Sequence, residues 1–268
     1  MSKKRTPRPA KSEPAAATQP YAYSSEFRGV RSLHLMSPNY PELDFAPIQG
    51  SMRLSQPERL ELEYVQQMNL WLLFKPQPAH IVQLGLGAAS LTNFCYQHFP
   101  AAKVTAVDIN PWVISLCHSE FYLPADDGRL SVLEMDAWDY VQSPKLAGKL
   151  DILQVDLYDA EAQKPALDSL EFYQACANCL NPDGMLTVNL FSNAQQRQRN
   201  IARLQECFDA VVWLAEVHQH NLIALAFKKA PVIDFTQLQH RATEISQKYH
   251  LDTDNWIQGL YQWMAQSD

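Results

Sequence analysis

The chain has 268 residues, 47% of them hydrophobic and 19% charged, with a formal net charge of −7. That composition suits a folded chain with room for one large α/β domain or two modest ones. No run approaches the roughly 20 uninterrupted apolar residues of a membrane helix, and the basic N-terminus lacks the apolar stretch of an export signal. Five scattered cysteines, an odd number, make no disulfide framework, so a cytoplasmic, reducing location is expected. The acidic balance argues against nucleic acid as a partner and permits cationic ligands.

Residues 1–20 read as a disordered basic tail. Lys3, Lys4, Arg5, Arg8 and Lys11 outnumber Glu13, and four prolines break regular structure. The tail's net +4 leaves the remainder at −11. Residues 21–55 form a small β-rich segment with strand-like pieces at 32–36 and 51–54. From 57 to 74 the pattern is helical, with Leu60, Tyr64, Met68 and Trp71 recurring every three or four residues. Across 56–230, apolar runs at 81–85, 104–108, 130–136, 151–156 and 185–191 alternate with helical stretches. This predicts an α/β domain with a mostly parallel sheet covered on both faces. Runs at 210–217 and 221–228 predict a hairpin, which makes the last strand antiparallel. Residues 231–268 predict C-terminal helices broken near 250–254.

Chemistry gathers at the strand ends. The first run enters Gly85-Leu86-Gly87, and the next three end at Asp108, Asp136 and Asp156. Ligands of an open parallel sheet bind beyond the carboxyl ends of its strands, so these residues should line one cleft. The two glycines let the chain turn sharply and approach a ligand. Asp108 follows Gly87 by 21 residues, the interval at which a second-strand carboxylate grips ribose hydroxyls. Asp136 has two readings that can hold together: adenine recognition with the Ala137 backbone, or a helix N-cap. Asp156 and Asp159, spaced D-x-x-D, can aim two carboxylates past a nucleoside toward an amine, which such a group binds as ammonium and helps deprotonate. The alternative for this pair is capping and loop solvation. Cys176 and Cys179 have no second Cys or His pair at metal spacing, so a buried helix face is the reading and no metal is expected. His218 and His220 flank the hairpin turn, and Trp256, Tyr261 and Trp263 fit an amphipathic helix packed on the domain or on a partner.

These residues resemble the spermidine/spermine synthases, the polyamine aminopropyltransferases, whose Rossmann-like fold is that of class I S-adenosylmethionine-dependent methyltransferases. The resemblance covers about 48–228. It matches Gly85–Ser90 to the glycine loop, Asp108 to the ribose acid, Asp136-Ala137 to the adenine contact, and Asp156 with Asp159 to the catalytic D-x-x-D. Glu171-Phe172-Tyr173 resembles the family's helix start, Asn181–Gly184 its turn before the fifth strand, and Gln49 and Tyr64 its substrate-binding glutamine and tyrosine. The chain departs from the pattern at Ala88, where the family's loop carries an aspartate, at Ala160, where a proline is usual, and in the gatekeeping segment ERLELEYVQQM.

The resemblance implies a transferase that moves an aminopropyl group from decarboxylated S-adenosylmethionine to an amine such as putrescine, with no metal, as a homodimer. The alternatives are a methyltransferase using intact S-adenosylmethionine, and a catalytically silent nucleoside-binding protein.

Overall fold

The computed structural model describes residues 20–37, 46–160, 165–214 and 221–267. Residues 1–19 of the basic tail, and His218 and His220, lie outside the described residues. The first unit is a three-stranded antiparallel sheet of β1 (Ala22–Phe27), β2 (Val30–Leu35) and β3 (Ile48–Arg53). Arg28 and Gly29 join β1 to β2 with φ of 51° and 75°, the pair of left-handed residues that matches the twist of a tight hairpin.

The second sheet holds β4 (His80–Leu84), β5 (Lys103–Asp108), β6 (Leu130–Glu134), β7 (Leu150–Val155), β8 (Leu180–Asn189), β9 (Ala210–Trp213) and β10 (Ile223–Phe227). Their order is β6-β5-β4-β7-β8-β10-β9. Every pairing from β6 to β8 is parallel. The antiparallel strand is β10, last in sequence; it stands between β8 and β9, so the edge of the sheet is β9. Between β4 and β7 the order reverses direction, which opens a crevice at their carboxyl ends.

Alternation along the strands builds two cores. Ile81, Val104, Ile152 and Ile223 face one side, while Val82, Val107, Leu153 and Ala224 face the other. The first face is covered by the small sheet with α2 (Ser90–His98), α3 (Pro111–Glu120), α7 (Phe235–Tyr249) and α8 (Asp254–Ser267). The second is covered by α4 (Ala137–Val141), α5 (Leu170–Cys179) and α6 (Ala194–Cys207). Cys176 and Cys179 are buried on α5, and Trp256 is buried where α8 packs on the domain.

The segment 57–74 is not one helix. It holds α1 (Glu63–Gln67) and a 3-10 turn, Leu70–Leu73, although Leu60, Met68 and Trp71 are all buried as the periodicity requires. Side-chain amides intercept the helical carbonyls here. Gln154 Nε2 donates to Met68 O at 3.0 Å and Asn69 Nδ2 to Val65 O at 3.1 Å. The tighter turn then buries four consecutive residues, which a single helix face cannot do. Gln154 belongs to a polar row across the buried sheet: Gln83 Nε2 donates to Gln154 Oε1 at 3.0 Å, and Thr92 Oγ1 to Gln83 Oε1 at 2.9 Å. This row ties α1 to the centre of the sheet, above the crevice.

Candidate active site

A cavity of about 1370 Å³ opens at the carboxyl ends of β4, β5, β7 and β8. Gln49, Tyr64, Gly85, Gly87, Asp108, Asp136, Ala137, Asp156 and Asp159 all line it. The cleft inferred from strand ends is therefore one space, and two residues from outside the sheet, Gln49 and Tyr64, reach into it. Among its described lining residues, the charged groups are four aspartates and Arg197.

Gly85 has a φ of 91° and Gly87 of 52°. A Cβ on Gly85 would stand 2.1 Å from the Asp156 carbonyl oxygen, and one on Gly87 would stand 2.9 Å from that of Gln49. Both glycines face the cavity, yet what demands them is close approach of protein backbone. Ala88 is buried against Gly50, whose own Cβ would lie 2.5 Å from the Ala88 nitrogen. Ser90 Oγ donates to Ser51 O at 3.0 Å. The small sheet is thus bolted onto the glycine loop, and β3 carries Gln49 over the cavity, where Nε2 donates to the Asp159 carbonyl at 3.3 Å.

Asp108 ends β5 and accepts two backbone N–H groups, from Leu86 at 2.9 Å and Asn110 at 2.8 Å. Burial raises its carboxyl above the usual range, and the two N–H bonds oppose that rise. Each oxygen keeps a lone pair for a ligand hydroxyl. Asp136 caps α4, accepting the Trp138 N–H at 2.7 Å, so its capping reading holds while it also lines the cavity. Ile109 and Met135, each more than 40% exposed, stand beside these two acids as apolar walls.

Asp156 follows β7 directly. Asn189 Nδ2 donates to its Oδ1 at 3.0 Å, and Tyr64 hydrogen-bonds it from α1. Burial pushes this carboxyl upward, and the two hydrogen bonds pull against that. Tyr64 is itself held well above the ordinary phenol range by burial and by Asp156, so it stays a neutral donor. Asp159 is exposed at the cavity rim.

Three cavity residues had no counterpart in the sequence reading. Tyr158 Oη donates to the Asn189 carbonyl and accepts the Phe191 N–H, both at 2.7 Å, clipping the loop after β7 to that after β8. Asn189 ends a buried strand. Asn110 caps α3 by accepting the Trp112 N–H at 3.0 Å and donates to Pro20 O at 2.8 Å. Only Asn110 carried a local signal, an Asn-Pro pair before a helical run.

The family model described as the spermine/spermidine synthase domain matches residues 64–212. A polyamine aminopropyltransferase of Neisseria meningitidis is 34% identical over 250 residues, covering 92% of this chain and 91% of the relative. Among solved structures, a probable spermidine synthase from Corynebacterium glutamicum aligns with a TM-score of 0.67 at 19% identity, over 87% of this chain and 82% of the other. Human methyltransferase-like protein 13 in complex with SAH aligns at 0.61 and 22% identity, over 70% of this chain and 93% of the other. At those identities both structures speak for the fold alone.

Proposed function

This chain belongs to the spermine/spermidine synthase family, and on that premise we propose that it transfers an aminopropyl group from decarboxylated S-adenosylmethionine to a primary amine, with Asp156 as the catalytic carboxylate. The observation that carries the reading is the carboxyl of Asp156, bonded by Asn189 and Tyr64, in one cavity with Asp108 and Asp136.

Asp108 accepts the ribose hydroxyls with its free lone pairs. Asp136 and Ala137 recognise the adenine edge, and Ile109 and Met135 cover the purine faces. With Ala88 packed under Gly50, Asp156 and Asp159 are the carboxylates available to the donor's amino group.

A primary amine has a pKa near ~10 by analogy with lysine, so it arrives as ammonium. Asp156 binds it, accepts its proton and directs the nitrogen lone pair at the propyl carbon beside the sulfonium. A C–N bond forms and the C–S bond breaks, leaving its electron pair on sulfur as the thioether of methylthioadenosine. The proton leaves through Asp156 to solvent. Alignment of this kind supplies roughly 7–11 kcal/mol in favourable cases.

Five free cysteines support a reducing, cytoplasmic setting. Exposed Phe27, Met36 and Ile48 around the small sheet support a homodimer. No described helix is long and apolar enough to cross a membrane.

Purified protein incubated with each adenosyl donor and a panel of di- and polyamines should yield aminopropyl adducts, identified by mass, with the decarboxylated donor. Methyl adducts from intact S-adenosylmethionine, or no product from either donor, would replace the reading. Asp108→Asn exchanges one acceptor for a donor facing an N–H. It should weaken methylthioadenosine binding about 10–100-fold by calorimetry, the worth of a hydrogen bond to a charged group. Unchanged affinity would remove Asp108 from the ribose site.

A further inference from the structure

Asn189 is a strange residue for its place. It ends the interior strand β8, on the face shared with Met185 and Thr187, and is 3% exposed. Asparagine is disfavoured in strands, and burying its amide is tolerable only when both ends are bonded. Here one end is not: Oδ1 is buried with no partner among the described residues. The other end donates to Asp156 Oδ1 at 3.0 Å.

The backbone makes this pairing specific. In the parallel register of β7 with β8, Val155 stands opposite Val188, so Asp156 and Asn189 occupy the next step, where the strands part and the cavity begins. The amide orientation is also determined. Turned over, Asn189 would set its carbonyl oxygen against a carboxylate oxygen, a repulsion with no compensating donor. Tyr158 fixes the same residue from its main chain, through the Asn189 carbonyl and the Phe191 N–H. The backbone that carries Asn189 is therefore held independently of Asp156.

Resting on the aminopropyl-transfer reading, we propose that Asn189 is the positioning residue of this site, its Nδ2 holding the Asp156 carboxylate in the rotamer that meets the amine. Tyr64 bonds the same carboxylate from α1, so two donors from different elements hold it. Among the described residues, Tyr64 on α1 and Tyr158 on its own loop are coupled to Asp156, and Asp108, Asp136, Asp159 and Arg197 line the same cavity. Burial, assisted by the charge of Asp156, keeps both phenols protonated. The N–H of Asn189 favours the charged carboxylate, so its removal raises the pH at which Asp156 ionises.

The test compares wild type, Asn189→Leu and Asn189→Asp, using 1,4-diaminobutane and decarboxylated S-adenosylmethionine as probes. Asn189→Leu keeps the shape and removes the donor; Asn189→Asp is nearly isosteric and places a like charge opposite. The acid limb of kcat/KM for the amine should move to higher pH by about one unit or more in Asn189→Leu, and further in Asn189→Asp. kcat should fall about tenfold or more in both, with methylthioadenosine affinity within twofold of wild type. The carboxyl titration of Asp156, followed by 13C NMR and assigned by its absence in Asp156→Asn, should shift in the same order. An unmoved titration and acid limb, with only a lower melting temperature, would make Asn189 structural and overturn the proposal. A wild type that transfers no aminopropyl group while the Asp156 titration still shifts would sink the reading of the reaction, and leave the hold of Asn189 on the carboxylate standing.

Discussion

Asp156→Asn should lower turnover by about 10³-fold or more without unfolding the protein or releasing the nucleoside. The replacement fits the existing bonds: its amide oxygen accepts from Asn189 Nδ2, and its amide nitrogen donates to the Tyr64 hydroxyl, which can also accept. On the proposed mechanism, what disappears is the charge that binds ammonium and the base that takes its proton. Stability should move the other way. The folded-state pKa of Asp156 is raised, chiefly by burial, so its favourable contribution to folding is complete below the unfolded pKa. It is lost as pH rises through the folded one. The neutral variant escapes that loss, and its melting temperature should equal or exceed that of wild type, by a margin that grows as pH rises from the acid side. Calorimetric melts across pH, beside single-turnover rates with the decarboxylated donor, measure both halves. Retained turnover would remove Asp156 from the chemistry; a melting temperature that falls at every pH would mean that its charge stabilises the fold.

The electrostatics of the crevice point the same way. Asp108 and Asp156 are both raised by burial, so an anionic crevice costs the empty protein stability at neutral pH. A cationic ligand relieves that cost. By contrast Asp151, inside β7 and remote from the cavity lining, meets Lys75 at 2.8 Å, Asn181 at 2.7 Å and the His80 N–H at 2.9 Å. Burial alone would raise it, and these partners outweigh burial and lower it. Its stabilisation is present above the unfolded pKa and is lost as pH falls through the folded one. A paired acid lies within the sheet, while the acids that burial raises line the crevice.

How much of this was legible in sequence follows from the range of each interaction. An acid that ends an apolar strand is a local pattern, and so Asp108, Asp136 and Asp156 could be placed at one edge of the sheet before any coordinates. The break within 57–74 was not legible, because the amide that takes the Met68 carbonyl comes from Gln154, 86 residues away. Asn189 was hidden for a related reason: its partner Asp156 lies on a neighbouring strand, and a polar residue closing an apolar run reads equally well as the start of a loop. The place of β10 inside the sheet depends on strand order, which no periodicity encodes. The glycines were found, but the reading that a ligand needs their missing side chains covered half of the physics.

That half gives the second large effect. Gly85→Ala should lower stability by about 2–5 kcal/mol, combining the strain of a positive φ with overpacking. For a chain of this size that is a fall in melting temperature of roughly 4–20 °C. The new Cβ would lie 2.1 Å from the Asp156 carbonyl oxygen and 3.0 Å from its carbon. Neither side can yield cheaply, because Gly85 N–H donates to Val107 O at 2.8 Å and Asp156 N–H to Leu84 O at 2.9 Å, both ladder bonds of the central sheet. Any shift that relieves the clash also moves the Asp156 carboxylate, so, on the proposed mechanism, turnover should fall by more than the lost stability explains. Two other glycines calibrate the claim. Gly29→Ala meets open space at a φ of 75° and should cost only about 1 kcal/mol. Gly87→Ala, 2.9 Å from the Gln49 carbonyl, should fall between them, because its clash is the milder of the two at a positive φ. Thermal melts and turnover for the three variants should rank Gly85 far above Gly87, and Gly87 above Gly29. If Gly85→Ala melted with Gly29→Ala and kept its activity, the tight seam between the glycine loop and the strand end of Asp156 would not exist, and the placement of that carboxylate would need another cause.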